Sequence, residues 1–133
     1  MKKVLVILFA LSLIFSASTA FAVDMMKNAN QATLQWDAAE GATSYRIYIR
    51  PISGGEETLV GDTTDLQFTL TFTEDTAVIA GVQSVKTAVI DGVTDPVEEA
   101  SVISWSDDPA ACADNQTFGL YYMQPPARPG NLR

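Results

Sequence analysis

The side chains able to do chemistry in this sequence are carboxylates, hydroxyls and one thiol, and no histidine accompanies them. The commonest general base and the commonest metal ligand are therefore missing. Adjacent acids occur at Glu56-Glu57, Glu98-Glu99 and Asp107-Asp108. Two carboxylates cleave a glycosidic bond only when they face each other across a cleft, whereas neighbours on a strand point to opposite faces. A solvated strand edge accounts for the pairs. Cys112, the single cysteine, would need an activating base to serve as a nucleophile. In the turn-rich stretch DDPAACADN it reads as a buried inert thiol, with a free thiol or an intermolecular bridge as alternatives. Asp107, Asp108 and Asp114 offer hard oxygen ligands within one loop, yet their spacing does not match the helix-loop-helix calcium pattern. No G-x-S-x-G, phosphate loop, dinucleotide fingerprint or cysteine pair is present. The expectation is a chain without catalytic residues, metal or cofactor, and hence not an enzyme. Its candidate contacts are aromatic: Trp105, Tyr121 and Tyr122, whose faces suit protein and polysaccharide alike.

Strands must carry these residues. In QATLQWDAAEGATSYRIYIRP, residues 31–51, Ala32, Leu34 and Trp36 alternate with polar neighbours, as do Tyr45, Ile47 and Ile49. A period of two marks half-buried strands, and Gly41 supplies the turn between them. Glu57 to Val60 reads as a brief strand ended by a turn at Gly61-Asp62. Leu66, Phe68, Leu70 and Phe72 give the cleanest alternation in the chain. Thr76 to Thr87 follows, then a loop from Ala88 to Val97 with turn signals at Asp91-Gly92 and Asp95-Pro96. Glu98 to Ser106 reads as a closing strand. The expected core comprises Leu34, Trp36, Tyr45, Ile47, Phe68, Leu70 and Val82. Phe118, Leu120, Tyr121 and Tyr122 stand too close together for a solvated tail, so Thr117 to Gln124 must pack on something.

At the N-terminus, Lys2 and Lys3 precede an apolar run from Val4 to Phe15, and Ala20-Phe21-Ala22 matches the small-x-small cleavage pattern. Residues 1–22 thus read as a signal peptide cut after Ala22, which sends the chain to the periplasm or out of a bacterial cell. The run is short for a membrane span, so no stable membrane insertion is expected after cleavage. All sixteen acidic residues lie beyond the cut, and losing Lys2 and Lys3 takes the net charge from −8 to −10. Such a surface repels phosphate backbones, and nucleic acid is a poor partner. One cysteine allows no internal disulfide, so the core alone must hold the fold.

The pattern L-x-W followed by A-x-x-Y-x-I-Y-x-R, from Leu34 to Arg50, resembles the second and third strands of a fibronectin type III domain, over roughly residues 31 to 106. The resemblance implies an antiparallel β-sandwich across residues 23–124, with Trp36 in the core between the sheets and Tyr45 on the facing sheet. It also implies a non-catalytic binding or structural role. Two departures stand out. VDMMKNAN, residues 23–30, leaves hardly any room for the family's first strand. PPARPGNLR, residues 125–133, resembles the proline-rich lead and opening strand of such a domain. The segment around Gly130, Asn131 and Leu132 is accordingly a candidate strand donor for the vacant edge. It would act within its own molecule or in a neighbour, the latter giving a homo-oligomer, and the alternative is a disordered tail.

Overall fold

Alternating side chains over short runs, separated by glycine-bearing turns, leave the backbone little alternative to sheet, and the chain is all-β. The computed structural model describes residues 23–133, and the expected signal peptide lies outside them. Nine strands follow in order: β1 (Met25–Asn28), β2 (Gln31–Gln35), β3 (Ser44–Pro51), β4 (Thr58–Thr63), β5 (Gln67–Thr71), β6 (Thr76–Ala88), β7 (Val97–Ala100), β8 (Ser104–Trp105) and β9 (Phe118–Tyr122). Two single-turn 3-10 helices, Pro109–Ala111 and Ala113–Asn115, lie between β8 and β9.

The strands form two sheets. The larger runs β1-β9-β6-β3-β4, and the smaller holds only β2 and β5. They face each other across a core of Leu34 and Leu70 from the small sheet and Ile47, Val78, Ala80 and Leu120 from the large one. Ile47, Leu70 and Leu120 are fully enclosed, each stabilising the fold by about 1.5–3 kcal/mol through burial. Tyr45 is buried as well, while Trp36, Phe68 and Val82 are half-buried. Trp36 and Phe68 pack against the core cluster from its rim.

β6 organises the large sheet. One edge pairs with the whole of β3 from Val78 to Val85. The other edge is shared by three short strands in turn: β7 beside Val85–Ala88, β8 beside Gly81–Val82 and β9 beside Thr76–Val78. The single closing strand expected from Glu98 to Ser106 is therefore two strands, broken at Ser101–Ile103. There the Ser101 amide still donates to the Ser84 carbonyl at 2.9 Å, but its hydroxyl takes the place of its carbonyl, accepting from the Ser84 amide at 3.1 Å and donating to the Val102 carbonyl at 2.8 Å. Thr117 to Gln124 finds its packing partner in β6 and β1.

Three further expectations are corrected. A first strand does form: β1 lies parallel to β9, Met25 opposite Phe118 and Asn28 opposite Tyr121. It is held by a clasp in which Asp24 accepts from the amide and hydroxyl of Thr117 at 2.9 and 3.1 Å. Gly61-Asp62 is not a turn but the middle of β4, with Gly61 opposite Ile47. Its missing side chain makes way for the Phe68 ring, which a Cβ would approach to 2.8 Å. Finally, Gly130, Asn131 and Leu132 form no strand with their own molecule: Asn131 has φ +57° and Leu132 is 88% exposed. Three prolines at 125, 126 and 129 remove the amides a ladder there would use.

Candidate functional site

The three aromatic residues singled out in the sequence do not form one surface. Residues directly opposite in a sheet share a face, so Trp105, opposite Gly81, and Tyr121, opposite Ala77, lie on the outer face of the large sheet. Tyr122 pairs with Thr76 and, by alternation, points to the other side. Trp105 is also engaged. Its ring rests on Gly81, where a Cβ would come within 2.6 Å of it, and the Arg50 guanidinium sits over it at 4.6 Å from the centroid. Arg50 in turn pairs with Asp107 at 2.5 Å. A partner stacking on this indole would have to displace a cation and its counterion. On the same face Met26 lies across Gly119, another position with no space for a side chain.

The thiol is equally committed. Cys112 donates to the Ser106 carbonyl at 3.3 Å. Burial, then the carboxylates of Asp108, Asp107 and Asp24, raise its pKa above the ordinary thiol range, so the protonated, unreactive form dominates near neutrality. Of the acid trio, Asp107 is occupied by Arg50 and Asp108 caps the first 3-10 helix by accepting from the Ala110 amide at 3.0 Å. Among the described residues no group of three acids, cysteines or histidines converges on a metal-sized site.

A concave feature lies beside the open edge of the small sheet. Between the end of β2 and the 3-10 segment runs a groove of about 460 Å³, floored by Tyr45, Val82 and Ser84 and walled by Gln35 to Asp37 on one side and Ala110 to Ala113 on the other. A smaller hollow of about 190 Å³ shares much of that lining and includes Leu34 and Phe118. Trp36 lines both hollows, and its indole N–H is buried and without an acceptor among the described residues. A buried donor left unpaired costs about 1–3 kcal/mol.

The ladder itself has an open side here. Trp36 donates to the Leu66 carbonyl at 3.1 Å, and Phe72 donates to the Asn30 carbonyl at 2.7 Å. These bonds fix the phase of the β2–β5 pairing, so even-numbered residues of β2 bond to β5. The amides and carbonyls of Gln31, Thr33 and Gln35 point away from β5, toward the side where the groove begins. Among the described residues no backbone group meets them. The L-x-W spacing located Trp36 in the sequence. The groove carries no local signal, because β2, β6 and the 3-10 segment meet only in the folded chain. No protein-family model matches this sequence, and no curated relative matches it.

Proposed function

We propose that this chain is a secreted, non-catalytic binding module of fibronectin type III kind, and that it binds protein by accepting an extended segment beside β2. The observation that carries this reading is the row of outward amides and carbonyls at Gln31, Thr33 and Gln35 alongside a groove with apolar and hydroxyl lining. An unpaired edge is a template for another strand: main-chain bonds supply affinity, and alternate side chains entering the groove supply selectivity. Two strands alone make a marginal sheet, so a third would stabilise the layer while binding. The pairing of Trp36 with Tyr45 across the two layers, ring centroids 5.5 Å apart, supports the family resemblance. Polysaccharide is the lesser reading, since Trp105 lies under Arg50 and Tyr121 and Tyr122 face opposite ways.

The test uses the mature chain, residues 23–133, to capture members of a random peptide library. Thr33→Pro removes one outward amide and leaves the β2–β5 backbone bonds in place, losing only the exposed hydroxyl contact of Thr33 with Thr69. Thr69→Pro does the same on the far edge of the same sheet. Capture should be lost with Thr33→Pro and kept with Thr69→Pro. Capture indifferent to both would refute the edge reading, and loss on Trp105→Ala alone would move the site to the outer face.

A further inference from the structure

Resting on the reading of the β2 edge as an acceptor, we infer that its occupant is residues Gly130–Arg133 of a second copy of this chain, with Leu132 seated in the groove. Met123 to Arg133 is exposed and free of regular structure, and Leu132 is an apolar side chain with nothing beneath it. The prolines keep the lead of this segment extended, while Gly130, Asn131, Leu132 and Arg133 retain the amides a ladder needs. Trp36, Tyr45, Val82 and Ala111 give Leu132 an apolar bed.

Charge points the same way. Residues 23–122 contain all sixteen acids and only four basic residues, Lys27, Arg46, Arg50 and Lys86, whereas the segment contributes Arg128 and Arg133 and no acid. Asp37 lines the groove itself. A cationic strand therefore approaches an anionic body, which raises the encounter rate and disfavours a misplaced acidic strand.

Direction distinguishes a second copy from the same molecule. β9 delivers the segment at the end of the fold where Asn30 meets Phe72 and Tyr122 meets Thr76. The groove lies toward the opposite end, beside Asp37, Val82 and Ser84, about 20–26 Å farther along β6 at about 3.3 Å per residue. The molecule's own segment would have to cross from one end of the fold toward the other and would then run parallel to β2. A segment from a second copy enters at the Asp37 end and runs antiparallel, the more stable pairing.

Two variants of the mature chain separate acceptor from donor. Thr33→Pro blocks the edge and keeps the segment, and Leu132→Asp spoils the segment and keeps the edge. With reductant present, light scattering should show the unmodified chain gaining mass with concentration, each variant monomeric alone, and the mixture forming a one-to-one complex. If circular dichroism shows Thr33→Pro unfolded, Gln31→Pro replaces it as the edge block. A mixture that stays monomeric overturns the proposal, as does a monomeric wild type whose Thr33 amide is already shielded by its own segment. If the mixture fails while Thr33→Pro still abolishes peptide capture, only the choice of partner falls. If capture is also indifferent, the acceptor reading falls with it.

Discussion

Gly81 shows how one missing side chain shapes the outer face. Ile103 and the Trp105 ring occupy the volume its Cβ would take, both within 2.6 Å, and a tryptophan ring has little freedom to yield. Gly81→Ala should cost about 1–3 kcal/mol through overpacking, read as a lower urea midpoint with an unchanged slope. Cys112 makes a second prediction. Its pKa is raised in the fold, first by burial and then by neighbouring carboxylates. The folded chain thus holds the thiol proton more tightly than the unfolded one. The associated stability is full below the unfolded pKa and is lost as pH climbs through the folded value. Iodoacetamide at mildly alkaline pH should therefore label the native chain more slowly than the urea-unfolded chain, the gap closing as pH rises. Equal rates at all pH values would contradict this environment. At the residue scale, Leu34, Tyr45, Ile47 and Leu70 were legible from alternation. The roles of Gly61 and Gly81 were not, because glycine marks a turn and a close approach alike.

At the scale of elements, the departures occur where the sequence pattern is weakest. β1 reads MMKN and is exposed at every position, so it carries no alternation. Its placement comes from the backbone ladder to β9 and from the Asp24–Thr117 clasp. Asp24→Ala removes a charged acceptor of two bonds and should loosen β1 by about 1.5–3 kcal/mol. Amide exchange at Met26 to Asn28 would speed up while Ile47 and Val78 remained protected. Uniform acceleration across the fold would mean instead that β1 unfolds only with the whole. The break between β7 and β8 was equally invisible, since Ser101 to Ile103 continues a strand-like pattern. It takes the register against β6 to show the departure. Strongly alternating β3 and β5 were recognisable because half-buried faces impose a period of two, and β6, buried at four successive positions, through its resemblance to a family strand, whereas edge strands are under no such demand.

For the whole molecule, the small sheet is the consequential feature. β1 takes its place on the large sheet, so β2 keeps an outward ladder and a groove opens between the layers. The charge division between body and C-terminal segment would make the proposed association salt-sensitive. Raising sodium chloride from about 50 to about 500 mM should weaken self-association of the mature chain, because exposed charges are screened within about a Debye length. Association that strengthens with salt would point to an apolar contact elsewhere. Binding at β2 requires its edge to be open in the isolated molecule, and amide hydrogen exchange on a dilute solution of residues 23–133 reads this edge residue by residue. Ala32 and Leu34, bonded to β5, should be protected, while Gln31, Thr33 and Gln35 exchange at nearly unprotected rates. Equal protection of odd and even amides along β2 in a monomer would show the edge already filled and contradict the account.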